Sequence, residues 1–231
     1  MQEWTTLNDS LRPAKLTVIF IQIYKAGTMP NIKLFELGPT RSSRARWALL
    51  EAGLEFESLG NNVDVFESDE LRKVHPLGKL PAALIDGQPL FESAAIVTAI
   101  ADLVPEKSLI AMPGTWSRNL HYQWVSFALS EMETFVQSSE INTIDFILPK
   151  EQHVKEIIEQ NSVIYRKGAA VLESVLGDNK FLVEDRFSAT DILVSYTVNW
   201  GYKDGLIDDF PNLIAYLERL HERKCCTLEK Q

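Results

Sequence analysis

A chain of 231 residues, 45% hydrophobic and 24% charged, is long enough for one large domain or two small ones and can build a core without cross-links. Its net charge of −9 has no offsetting basic stripe, which argues against nucleic acid as a partner, and it contains no run of 18 apolar residues that would span a membrane. Its two cysteines, Cys225 and Cys226, are adjacent near the end, so no disulfide framework is expected and a reducing, cytoplasmic compartment fits best.

Residues 1–28 read as an N-terminal extension, expected to be unstructured. Its apolar stretch, 16–24, has the length of a signal-peptide core, but Gln22 interrupts it and Glu3 and Asp9 precede it. A strand-like alternation follows at 32–37, broken by Gly38-Pro39. Ala45, Trp47, Ala48, Leu49 and Ala52 then fall at helical spacing, with Gly53 where a C-terminal cap belongs. A short strand is predicted at 55–59, a loose polar helix at 64–74 and a turn at His75-Pro76-Leu77-Gly78. Residues 81–85 and 89–91 are strands joined by the hairpin signal Asp86-Gly87, and Glu92-Ser93 opens an apolar helix over 94–103. The order is βαβαββα, with a parallel pair followed by an antiparallel hairpin.

A linker spans 107–114, and 115–231 reads as helix throughout. One apolar stripe runs from Leu120 through Trp124, Ala128 and Met132 to Val136. After Pro149, a second runs from Val154 through Ile158 and Leu172 to Val175. Ser188 and Asp191 have the spacing of a capping box, and Pro211 suits the first turn of a last helix. The tail carrying the two cysteines is expected to fray.

Three stretches of the first half carry chemistry. At the first strand-to-helix junction, Thr40, Ser42 and Ser43 sit with Arg41, Arg44 and Arg46 at a helix start, a place that favours an anion such as a thiolate. Lowering a thiol pKa by about two units requires roughly 2.7 kcal/mol, which one hydrogen bond to a charged group and the helix end can supply. Ser and Thr also start helices simply as caps. In Gly78-Lys79-Leu80-Pro81, a cis Leu80-Pro81 bond would turn the backbone groups of Leu80 outward to pair with an extended peptide, with Lys79 near a carboxylate; a trans turn is the alternative. Glu92 and Ser93, at another helix start, offer partners for an ammonium and a carboxylate. Together these groups match an amino-acid head, a peptide middle, a carboxylate and a thiol, which is the inventory of glutathione.

A strand, a hydroxyl-rich turn and a helix, then Gly78-Lys79-Leu80-Pro81, then Glu92-Ser93-Ala94-Ala95-Ile96, with the Ser188–Asp191 box further on, resembles the glutathione-transferase superfamily over roughly residues 30–224. The resemblance implies an α+β chain: a thioredoxin-like glutathione-binding domain (29–106), then an all-α domain (115–231) with a pocket for a hydrophobic substrate. It implies that Leu80 pairs with the cysteinyl backbone and that Pro81 is cis. It further implies that Glu92 and Ser93 hold the γ-glutamyl end and Lys79 the glycyl carboxylate. The first helix is similar to the serine- and cysteine-type classes, including the zeta-like S-S-C-S-W-R-V-R pattern. Ser42, Arg44 and Arg46 match that pattern, Arg41 replaces its cysteine, and Pro39 and Thr40 replace its first two serines. Thr40 is therefore the expected thiol-activating hydroxyl, with Ser42 second.

The implied reaction is conjugation of the glutathione thiolate to a small hydrophobic electrophile, a detoxification chemistry, with glutathione as co-substrate and no metal or redox cofactor. A glutathione-dependent isomerase and a non-catalytic binding or assembly module are the alternatives. Thiol–disulfide exchange is disfavoured because no cysteine lies near the site. A homodimer is the implied assembly. The aromatic residues of the second half, among them Trp116, Trp124, Tyr196 and Trp200, serve either the substrate pocket or the core.

Overall fold

The computed structural model describes residues 29–230, so the expectations for the extension at 1–28 lie outside the described residues. The first half forms a four-stranded sheet in the order β2-β1-β3-β4, built from β1 (Ile32–Glu36), β2 (Glu57–Gly60), β3 (Ala82–Ile85) and β4 (Gln88–Phe91). β1 runs parallel to β2 with Leu34 opposite Ser58, and antiparallel to β3 with Leu34 opposite Ala83. Alternation along β1 divides the core. Ile32 and Leu34 face helices α1 (Ser42–Ala52) and α3 (Ser93–Leu103), where they meet Trp47, Leu49, Ile96 and Ile100. Phe35 faces the other way, towards Leu71 and Val74 of α2 (Asp69–Val74).

Local chemistry sets the element ends. Gly53 takes φ +68° after α1 and returns its N–H to the carbonyls of Leu49 and Leu50. Asp86 and Gly87 both have positive φ, as the tight hairpin turn between β3 and β4 requires. The helix expected over 64–74 is split into a 3₁₀ turn (Val63–Glu67) and α2, because Ser68 turns extended and its hydroxyl accepts from the N–H groups of Glu70 and Leu71.

The second half comprises α4 (Trp116–Ala128), a π-turn (Leu129–Glu133) running on into α5 (Thr134–Ile141), then α6 (Ile157–Val175), α7 (Ala189–Lys203) and α8 (Pro211–His221). The first predicted stripe is thus one helical run with an inserted wide turn. Val154 lies outside the second helix and is exposed. α7 is the central helix, buried over most of its circumference. Its N-terminus carries the expected capping box, in which the Asp191 carboxylate accepts from the Ser188 N–H at 2.8 Å. Asp191 also accepts from the Leu182 N–H at 3.1 Å and the Tyr216 hydroxyl at 3.0 Å, so the box ties α7 to α8.

Within the segment 107–114, expected as the linker, Leu109 and Ile110 are buried, and the Leu109 carbonyl accepts from the Ala189 N–H at 2.7 Å. One expectation needs correction. The tail does not fray. Arg223 forms a two-pronged pair with Glu51, both contacts 2.8 Å, and stacks over Phe187. Further on, Thr227 donates to the Ser43 carbonyl at 2.7 Å, Leu228 is buried, and Glu229 pairs with Lys203. Cys225 and Cys226 are half-buried free thiols packed against the core.

Candidate functional site

The turn between β1 and α1 is built from its own hydroxyls. Both Gly38-Pro39 and Leu80-Pro81 are cis peptides. Thr40 Oγ1 donates to the Leu37 carbonyl at 2.5 Å, lies 2.8 Å from Ser42 Oγ and accepts from the Ser42 N–H at 3.2 Å. Ser42 Oγ accepts from the Leu37 N–H at 3.3 Å. The two hydroxyls therefore close the turn against the end of the strand. Ser42, expected as the second candidate for thiol activation, is 1% exposed and lines neither cavity described below. The hydroxyl residues that do reach the larger cavity from this turn are Thr40 and Ser43.

Two cavities meet here. The smaller, of about 290 Å³, is polar and is lined by His75, Lys79, Leu80, Pro81, Glu92, Ser93 and Glu133 among others. The larger, of about 610 Å³, runs from Thr40 to Ile144, Phe146 and Ile147 of the loop after α5, to Tyr196 and Trp200 of α7, and to Thr227, Leu228 and Glu229 of the tail. Arg41, Lys79, Leu80 and Gln137 belong to both. The expected residues Lys79, Leu80, Pro81, Glu92 and Ser93 thus line one cavity, and Thr40 faces the next.

The three arginines at and after the start of α1 have different fates: Arg41 precedes the helix and Arg44 and Arg46 lie in it. Arg44 is buried, and its guanidinium is fully engaged. Nε donates to the Leu193 carbonyl at 3.1 Å, Nη1 to Ser93 Oγ at 3.1 Å, and Nη2 to Thr197 Oγ1 at 2.9 Å and to Glu133. Arg46 pairs with the buried Glu36 at the C-terminal end of β1. Only Arg41 reaches the cavities, with its Nε donating to Glu133 Oε1 at 2.5 Å. Burial alone would raise the Glu133 carboxyl, but Arg44 and Arg41 together hold it at about 2. Glu133 was missed in the sequence because a lone carboxylate at the edge of an apolar stripe reads as surface. Its partners are 89 and 92 residues away.

Around the smaller cavity, Glu92 holds φ +72° at the start of α3 and makes no capping bond with its side chain. His75 is buried, its Nδ1 accepting from the Leu77 N–H at 3.1 Å and its ring 4.8 Å from that of Phe91, so it shapes the loop before Leu80 as well as lining the cavity. Of the aromatic residues singled out in the second half, Tyr196 and Trp200 line the larger cavity, whereas Trp124 and Phe127 pack against the core and Trp116 and Tyr122 are exposed. Burial pushes the Tyr196 hydroxyl up to about 12, which keeps it neutral. The apolar loop at Ile144, Phe146 and Ile147 and the tail carried no periodic signal in the sequence, and both reach the site only through tertiary packing.

Sequence profiles agree with this arrangement. Residues 30–102 match the glutathione S-transferase N-terminal domain, and residues 120–224 match the glutathione S-transferase C-terminal domain. The chain belongs to the glutathione S-transferase family. It is 26% identical to glutathione S-transferase GstA of Escherichia coli O157:H7 over 200 residues, covering 83% of this chain and 94% of that one. Among solved structures, a glutathione transferase from Methylococcus capsulatus superposes with a TM-score of 0.72 at 26% identity, over 84% of this chain and 95% of the other. A sphingomonad glutathione S-transferase solved with glutathione gives 0.72 at 25% identity, over 84% and 94%. The α+β architecture, thioredoxin-like in the first half and all-helical in the second, is that of these family members. No helix among the described residues is long and apolar enough to cross a membrane.

Proposed function

We propose that this family member is a conjugating enzyme that attaches the glutathione thiolate to a small hydrophobic electrophile. The observation that carries the reading is the meeting of two unlike cavities at Leu80 and Arg41: one lined by groups that suit a charged peptide, the other holding a hydroxyl at a helix start and apolar walls. In this reading the cysteinyl backbone pairs with Leu80, the γ-glutamyl end lies by Glu92 and Ser93, and the glycyl carboxylate meets Lys79. The sulfur then lies in the larger cavity beside Thr40. The thiolate competes with the Leu37 carbonyl for the Thr40 hydrogen, while Ser42 supports Thr40 from behind. The electrophile rests against Ile144, Phe146 and Trp200, so the protein contributes thiolate stabilisation and proximity. The enzyme acts as a homodimer in the cytoplasm.

Turnover of a panel of chloronitroaromatic and unsaturated carbonyl electrophiles with glutathione tests the reading. Conjugation of at least one above its spontaneous rate is expected. Tight glutathione binding with no conjugation across the panel would instead favour a binding module. Thr40→Ala should raise the pKa of the bound thiol and slow conjugation about 10- to 100-fold, the size of one hydrogen bond to a charged group, with little loss of glutathione affinity. An unchanged pH profile would move the role to Ser43.

A further inference from the structure

Arg41 occupies the junction of the two cavities and is held there from two sides. Its Nε is bound to the buried Glu133 carboxylate at 2.5 Å, and its guanidinium carbon lies 5.2 Å from the centre of the Trp200 ring. Nη1 and Nη2 make no hydrogen bond among the described residues. Arg41 and Arg44 share Glu133 as a single anionic partner, so one positive charge of the trio is unbalanced, and Arg44 is fully engaged in the interior. That charge therefore appears at the cavity face of Arg41, whose side chain is 28% exposed. The other cation on the α7 wall, Lys203, is already paired with Glu229 of the tail. Two carboxylates, Glu140 and Asp204, line the same cavity; neither is hydrogen-bonded to Arg41 among the described residues, and although the Arg41 charge acts on Glu140 through space, burial outweighs it and raises the Glu140 carboxyl, as it does that of Asp204. The result is a pre-oriented guanidinium with two parallel donors, a geometry suited to a carboxylate.

We propose that Arg41 is the specificity-determining residue of the larger cavity and that it selects electrophiles bearing a carboxylate, gripped by Nη1 and Nη2. This rests on the conjugation reading above. In the step itself the glutathione sulfur forms a bond to the electrophilic carbon, the leaving group departs with its electron pair, and the carboxylate on Arg41 takes no part.

The test compares a chlorodinitrobenzoate with its neutral methyl ester, each corrected for its spontaneous reaction with glutathione. The sulfur replaces chloride in both; the ester lacks the charge and adds one methyl group, and the spontaneous rates correct for its different intrinsic reactivity. In the full-length protein, Arg41→Gln should lower kcat/KM for the benzoate about 10- to 100-fold, as expected for hydrogen bonds to a charged group, and for the ester less than about threefold. Arg41→Lys, which keeps the charge without the fork, should fall between. Equal losses on both compounds, or no loss on either, would overturn the assignment. A calorimetric comparison of S-(carboxybenzyl)glutathione with S-benzylglutathione separates the two readings. If neither chlorodinitro compound is turned over but the carboxybenzyl conjugate binds more tightly in an Arg41-dependent way, the conjugation reading fails and the Arg41 assignment stands. Equal binding of the two conjugates contradicts the assignment whatever the turnover.

Discussion

Glu133 is a buried carboxylate between two guanidiniums, with Thr197 donating to it at 2.7 Å. Removing its charge leaves Arg44 buried without a counter-ion, and breaking such a pair costs about 3–5 kcal/mol. Glu133→Gln should lower stability by that order in urea unfolding at pH 7, whereas a change below about 1 kcal/mol would show that Arg44 finds other compensation. The pH dependence has a definite sign. The folded-state pKa of Glu133 is depressed to about 2, so its contribution of about 3 kcal/mol is present above its unfolded value near 4.5 and is lost as pH falls from there towards 2. The wild-type acid limb should be steep in that window and flattened in the variant. At this scale the sequence was partly legible. Lys79, Leu80, Glu92 and Ser93 could be picked out because each sits in a short local motif. The division of labour among Arg41, Arg44 and Arg46 could not, because it depends on a distant carboxylate.

At the scale of elements, periodicity and capping residues located β1, the β3–β4 hairpin, α1, α7 and α8, because each is fixed by signals within a few residues. The π-turn at Leu129–Glu133 escaped notice: it preserves the apolar stripe while rotating Glu133 towards α1. The tail escaped for a different reason. Its order comes from contacts with α1 and α7 rather than from its own sequence. Removing residues 225–231 should therefore open the larger cavity and raise the electrophile KM several-fold while leaving glutathione affinity unchanged; equal changes in both would show that the tail supports the fold instead. Helix packing gives a sharper case. A Cβ on Gly201 of α7 would clash with the Tyr165 ring and hydroxyl, and Tyr165 is buried and donates to the Thr197 carbonyl at 3.0 Å. Gly201→Ala should cost about 1–3 kcal/mol or more through overpacking. A neutral effect in thermal melts would mean that α6 and α7 separate easily.

For the whole molecule, two buried groups oppose one another in acid. Burial, with the Arg118 charge adding to it, lowers His121 to about 4, so its contribution is present above pH 6.5 and is lost as pH falls towards 4. Burial raises Asp191 to about 6, so its contribution is present below its unfolded value near 3.8 and is lost as pH rises through 6. Each is worth about 3 kcal/mol at the end of its window, and the two slopes nearly cancel between pH 4 and 6. Wild-type stability should be nearly level from pH 6 to 4.5, and His121→Gln should become more stable over the same fall in pH. Parallel urea profiles for the two proteins would contradict this. The two-part architecture was legible from texture alone, strands alternating with helices and then helices throughout. The way one buried guanidinium, Arg44, joins α1, α3, the π-turn and α7 across that division was not. On the proposed function, this junction presents glutathione to the larger cavity with its sulfur at Thr40. The decisive measurement is a crystal structure of the glutathione complex. The cysteinyl backbone is expected to pair with Leu80, the γ-glutamyl end to lie at Glu92 and Ser93, and the sulfur to lie within hydrogen-bonding distance of Thr40 Oγ1. Glutathione bound elsewhere, or a sulfur directed away from the turn between β1 and α1, would contradict it.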